Sequence, residues 1–247
     1  MDEMSMLADL TPYFQTRLGR LYCMDAIDFL KSLPDESVDL IVTDPPYNSR
    51  IEWDRKDDEW QLTWLREVKR ILKQGGSIYV FFAPLNMYAI EGYFRSELTL
   101  KNICVWYHPN LYGAGMSYGR DRWKSTWDVI LYAVKGKYAR HGKNVAAYAY
   151  QRWNRGFDVF QYSQPRPLLH KAQKPLELIM KLIDCSSNEG DLVLDPFMGS
   201  GTTAVACELL DRHWIGSEIN PDYCELIRAR VEESLNLNPK CKLDNFF

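Results

Sequence analysis

Val38-Asp39-Leu40-Ile41-Val42-Thr43-Asp44-Pro45-Pro46-Tyr47 is an apolar run that ends abruptly in an acid, two prolines and an aromatic ring. A run of that length, rich in aliphatic and β-branched residues, reads as a buried strand, and the prolines make it stop and turn. Strand ends of this kind are where α/β enzymes place their chemistry. Each proline fixes its own φ and restricts the residue before it, so the Asp44 carboxylate and the Pro45 carbonyl are two preset acceptors. Tyr47 adds a face for stacking. The set suits a flat, nitrogen-bearing ring with an exocyclic amine, which makes Asp44, Pro45, Pro46 and Tyr47 the candidate catalytic residues. A strand end followed by a plain proline turn would show the same Pro-Pro, so the reading needs a second site.

That site is Asp191-Leu192-Val193-Leu194-Asp195-Pro196-Phe197-Met198-Gly199-Ser200-Gly201-Thr202-Thr203. A short buried strand, Leu192 to Leu194, meets an acid and a glycine pair, and apolar spacing then predicts a helix from Thr202 to about Leu210. Glycines at such a turn let backbone approach a ligand, and the helix start offers its free N–H groups. The loop has neither the Gly-Lys-Ser/Thr of a phosphate loop nor the third glycine of a dinucleotide fingerprint. Trp214-Ile215-Gly216-Ser217-Glu218 follows as another strand, ending in an acid 17 residues beyond Gly201. Near that spacing an acid can accept hydrogen bonds from both hydroxyls of an adenosine ribose. Asp195, Phe197, Gly199, Ser200, Gly201, Thr202 and Glu218 are therefore candidate cofactor residues, against the bland alternative that Glu218 is a surface glutamate.

Further strands are expected near Leu21–Met24, Ile78–Phe82, Ile103–Tyr107 and Val129–Val134, with helical patterns between many of them. Trp60 to Leu72 carries a helical apolar face, and Gly75-Gly76 is expected to end that helix. Alternation of this kind predicts an α/β fold, a doubly wound, mostly parallel sheet of seven strands. If the strands before Asp44 and Asp195 are neighbours, both acids face one crevice.

The 247 residues, 46% of them hydrophobic, suit one domain spanning 1–247. Met1-Asp2-Glu3-Met4 does not open a signal peptide, and no apolar run approaches a membrane span, so a cytoplasmic location is expected. Six scattered cysteines, with no Cys-x-x-Cys and no histidine at ligand spacing, lead us to expect structural thiols and no metal. The net charge of −3 hides a division: residues 101–174 hold 13 Lys/Arg against 3 Asp/Glu, net +10, while the rest is −13. Such a separation is an electrostatic footprint for a polyanion. Arg120, Arg122, Lys124, Arg152 and Arg155, interleaved with tyrosines and tryptophans, are the candidate DNA contacts within an inserted basic recognition segment at about 108–168. Residue by residue, a solvated basic face explains each equally well. Gly113 to Gly119 and Asn48 to Glu59 are expected to be mobile, the latter as a lid.

The chain resembles the β group of amino-type DNA methyltransferases, which place the catalytic motif ahead of the cofactor motif. Asp44 to Tyr47 matches the family's Asp-Pro-Pro-Tyr, Asp195 to Gly201 its Asp-Pro-Phe-x-Gly-x-Gly, and Glu218 its ribose-binding acid. Asp25 resembles the acid flanking the adenine ring, and His170 to Pro175 resembles the motif whose Lys174-Pro175 opens a helix beside the methionine end of the cofactor. The resemblance covers roughly residues 20–85 and 165–235. It implies a Rossmann-like methyltransferase fold and S-adenosyl-L-methionine as cofactor. It also implies double-stranded DNA as partner, transfer to adenine N6 with base flipping, a homodimer, and a companion restriction endonuclease. Transfer to cytosine N4 stays open, since Asp44 does not exclude it. A nicotinamide oxidoreductase, a catalytically silent DNA-binding protein and an RNA or protein methyltransferase are the readings from other classes.

Overall fold

Apolar segments of four to eleven residues make the centre of the sheet, and their burial shows on which side each lies. The structure is a computed structural model that describes residues 10–47, 57–84, 87–109, 125–154, 156–166 and 173–237. Its strands are β1 (Phe14–Gln15), β2 (Gly19–Cys23), β3 (Val38–Thr43), β4 (Leu72–Phe82), β5 (Thr99–Tyr107), β6 (Trp127–Val134), β7 (Val159–Gln161), β8 (Leu192–Asp195) and β9 (His213–Glu218). They lie in the order β1-β2-β9-β8-β3-β4-β6-β5-β7. The run β2-β9-β8-β3-β4 is parallel throughout, while β6 is antiparallel to both β4 and β5. All seven expected strands are present. The two additional ones, of two and three residues, sit at the outer edges, too short to leave a periodic signal.

Every residue of β3 is buried, as a parallel strand covered on both faces requires. Leu40 and Val42 join one core with the helices α5 (Leu176–Ser186), α6 (Thr202–Leu209) and α7 (Pro221–Leu237). Val38 and Ile41 join the other, with α1 (Ala26–Ser32), α2 (Asp58–Ile71) and α3 (Tyr88–Glu97). This is the two-residue alternation of a strand. Each fully buried aliphatic or aromatic side chain in these cores stabilises the fold by about 1.5–3 kcal/mol.

The chain leaves β3 through α2 for β4 on one side and leaves β8 through α6 for β9 on the other. The boundary between β3 and β8 is thus the place where the winding direction reverses, and a crevice opens beyond its carboxyl ends. β3 and β8 pair directly, Leu40 with Val193 and Ile41 with Leu194, which meets the condition set by the two acids.

Gly75-Gly76 does not end the helix. α2 stops at Ile71, with Leu72 already extended, and both glycines lie inside β4. The register to β3 slips there, from Val38–Leu72 to Leu40–Ser77. Gly75, at φ +75°, bonds Lys135 and Arg140, and a Cβ there would meet Arg140 Cβ at 2.9 Å. The glycines absorb a bulge, because helix and strand join with no intervening loop.

β6 and β7 belong to the main sheet, and α4 (Val145–Trp153) packs on α5, so the described parts of the basic stretch are built into the catalytic unit. No helix among the described residues is long and apolar enough to cross a membrane.

Candidate active site

Asp195, the last residue of β8, ties the crevice together. Its Oδ1 accepts from Thr43 Oγ1 at 2.7 Å and from the Phe197 amide at 3.1 Å, and its Oδ2 accepts from Thr203 Oγ1 at 2.8 Å. Burial pushes its carboxyl up to about 6, against the pull of those three donors. Both oxygens are engaged by the protein, so Asp195 works by holding β3, the glycine loop and α6 in one arrangement.

The glycine loop turns with Gly199 at φ +50° and Gly201 at φ +74°, and a Cβ on Gly201 would press on Ile227 Cγ2 at 2.8 Å. Glu218, at the end of β9, accepts from the Gly199 amide at 2.9 Å through Oε2 and from the Asn220 amide at 2.9 Å through Oε1. Burial raises its pKa, and the backbone amides counter the shift. Arg230 reaches the Ser200 carbonyl and, at 3.3 Å, Thr202 Oγ1. Asp25 caps α1, accepting from the Ile27 amide at 2.8 Å.

Across the crevice, the Tyr47 hydroxyl donates to Asp44 Oδ1, and the Tyr47 ring packs 5.0 Å from that of Phe82. The buried Gln61 of α2 donates to the Pro46 carbonyl at 2.6 Å and accepts from Trp64 Nε1 at 2.8 Å. Trp60 and Trp64 each lie 5.6 Å from the Phe197 ring, so one helix braces both loops.

Lys174 differs from expectation in its neighbour. Its ammonium donates to Asp44 Oδ2 and lies 3.2 Å from the Tyr47 hydroxyl, so it stands at the catalytic acid. Pro175 follows as the N-cap of α5.

One cavity of about 610 Å³ contains Asp25, Asp44, Pro45, Pro46, Tyr47, Lys174, Asp195, Phe197, Gly199, Ser200, Thr202 and Glu218 in its wall. Pro175 and Gly201 stand outside that wall, shaping the turns that build it. Sequence reading missed Trp60, Phe81, Asn220 and Tyr223, which also line it, and Gln61, which supports it. Phe81 falls near a strand end, a signal that was available. Gln61 looks in sequence like any polar helix residue.

The basic candidates fare differently. Arg152, in the last turn of α4, sits 3.8 Å from Asp184 Oδ2 near the end of α5 remote from Lys174. Arg120, Arg122, Lys124 and Arg155 lie outside the described residues, as do His170, the loop Gly113 to Gly119 and most of the expected lid.

Two strand-end loops sharing one cavity, with a carboxylate and a tyrosine facing a glycine turn and a strand-end acid, define a group-transfer site on a doubly wound sheet. The chain belongs to the N6/N4-type DNA methylase family, which matches residues 38–229. It is 34% identical to the Type II methyltransferase M.HpaI of Haemophilus parainfluenzae, across 88% of this chain and 75% of that protein. It is 32% identical to the DNA adenine methyltransferase YhdJ of Escherichia coli (strain K12), across 84% and 81%. A DNA modification methylase from Thermus thermophilus, solved in complex with S-adenosyl-L-methionine, aligns with a TM-score of 0.70 at 26% identity, covering 88% of this chain and 94% of that one. The cytosine-N4-specific PvuII DNA methyltransferase aligns with a TM-score of 0.74 at 21% identity, over 91% and 94%, and shares the fold.

Proposed function

We propose that this protein methylates the N6 amine of adenine in duplex DNA, at a specific site, using S-adenosyl-L-methionine. The observation that carries the reading is the shared cavity, in which Asp44 and Tyr47 face Gly199 and Glu218. The residues fit the cofactor. Two left-handed glycines bring backbone to the cavity wall, and Glu218 and Asp25 offer carboxylate oxygens suited to hydroxyls and a ring amine. Bound there, the cofactor supplies an electrophilic methyl on its sulfonium.

The protein's own contribution is orientation and charge. An exocyclic amine is a weak nucleophile because its lone pair is delocalised into the ring. Donating its two protons to Asp44 and to the Pro45 carbonyl aims the lone pair at the methyl, and the Asp44 carboxylate stabilises the positive charge that grows on nitrogen. Tyr47 stacks on the ring. A base inside the duplex is out of reach, so the target nucleotide must rotate out of the helix, and the +10 stretch at 101–174 supplies cations for the phosphates. Adenine is preferred on the Asp-Pro-Pro-Tyr motif and on the 32% identity to an adenine methyltransferase. The Type II relatives make restriction–modification its setting.

Modification-sensitive sequencing of DNA from a host expressing the chain tests this. Adenine methylation confined to one short sequence is the expected result. N4-methylcytosine would move the substrate to the other base, and unmodified DNA would refute the reading.

A further inference from the structure

Lys174 brings to Asp44 a charge that the transfer step disfavours. An ammonium at Asp44 Oδ2 offsets the negative charge needed by the reacting amine. It has little access to water: the side chain is 9% exposed, and the rings of Tyr47, Phe81 and Trp106 lie 5.6, 5.3 and 5.8 Å from Nζ. A cation so enclosed needs a second anion if it is to leave Asp44.

That anion lies behind Trp106. Asp128, next to the first residue of β6, pairs in register with Trp106 of β5, and its side chain is only 25% exposed. Its Oδ2 is 3.8 Å from Nε2 of His108, whose ring packs 4.9 Å from that of Trp106. Burial and, secondarily, Lys174 hold the His108 pKa low, so at neutral pH the imidazole leaves Asp128 its charge. His108 Nδ1 has no hydrogen-bond partner among the described residues, so the pair is not locked into a larger network.

We propose that Asp128 is a positioning residue for methyl transfer: it takes the Lys174 ammonium as the target amine takes over Asp44. This rests on the reading above. The exchange makes and breaks hydrogen bonds only. Lys174 gives up Asp44 Oδ2, the amine protons replace it there, and the lysine proton stays on Nζ beside the Asp128 carboxylate. Asp128 does not line the cavity, so it acts through Lys174.

The charged groups facing Asp128 among the described residues are His108 from the end of β5, Lys174 ahead of α5 and Asp44 beyond β3. Burial pushes the Asp128 carboxyl up to about 6, Lys174 pulls it down and Asp44 pushes it up. The single-turnover rate should therefore climb as pH rises through about 6. Asp128→Asn should cut the rate above that pH about 10- to 100-fold, remove that limb and leave S-adenosylhomocysteine affinity unchanged, with partial rescue by Asp128→Glu. Carboxyl ¹³C NMR of aspartate-labelled protein gives a reading independent of activity: the signal lost in Asp128→Asn should titrate at higher pH in Lys174→Met. A wild-type rate and pH profile in Asp128→Asn, or a carboxyl midpoint unmoved by Lys174→Met, overturns the proposal. A wild type that transfers nothing to DNA overturns the reading it rests on, and the carboxyl titration then still decides whether Lys174 answers to Asp128.

Discussion

Thr43 at the end of β3 donates to Asp195 at the end of β8 across 2.7 Å, joining two strands that are 152 residues apart in sequence. The bond holds the loop carrying Asp44 against the loop carrying Gly199. Thr43→Val removes one of three donors from a buried carboxylate and should lower stability at pH 7 by about 1.5–3 kcal/mol in denaturant unfolding, with the Asp195 titration moving above its present value near 6.

Asp195 also sets a pH signature. Its folded pKa is raised from the ordinary 3.8 of an aspartate to about 6, so the protonated form is the favoured one in the fold. Its contribution to stability is complete below pH 3.8 and is lost as pH rises toward about 6. Asp195→Asn should flatten that part of the stability profile, which thermal melts from about pH 4 to about pH 7 would reveal.

Asp44→Ala should abolish methyl transfer, a loss of at least about 10²–10³-fold, while calorimetric affinity for S-adenosylhomocysteine stays within a few-fold. Gly199→Val should show the opposite pattern. A β-branched residue at φ +50° strains the turn that bonds Glu218, so cofactor affinity should fall while the Asp44 side stays assembled.

Gln61→Leu leaves the Pro46 carbonyl and Trp64 Nε1 without their buried partner. The expected loss is about 1–3 kcal/mol of stability, with a lower single-turnover rate and unaltered cofactor affinity. An unchanged rate would show that α2 does not brace the catalytic loop.

Arg152→Gln and Arg155→Gln together should weaken DNA binding and flatten the plot of log affinity against log salt by about 0.9 for each phosphate no longer neutralised. An unchanged slope would mean that Arg152 serves its Asp184 partner alone.

Much of this site was legible because strand ends and glycine turns leave local marks. Asp44 to Tyr47 and Asp195 to Gly201 each carry prolines, glycines and acids at positions that only a sharp turn explains. The central strands announced themselves by unbroken apolar runs. What stayed hidden depends on contacts between distant segments. Lys174 shows its neighbour Pro175 but not that it reaches Asp44, 130 residues away. Gln61 and Asp128 have ordinary local settings, and their significance comes from what the sheet and α2 set beside them. Gly75-Gly76 misled for the same reason: glycine follows helices often, yet here it relieves a register slip between β3 and β4.

Incubating the purified protein with duplex DNA and methyl-labelled S-adenosyl-L-methionine, then digesting the DNA to nucleosides for mass spectrometry, puts the shared cavity to the test. Label on the N6 of adenine, absent when Asp44→Ala protein is used, is the result that one crevice joining Asp44 to the glycine turn predicts. Unlabelled DNA from wild-type protein that binds both DNA and cofactor, or equal labelling by the Asp44→Ala protein, would contradict it.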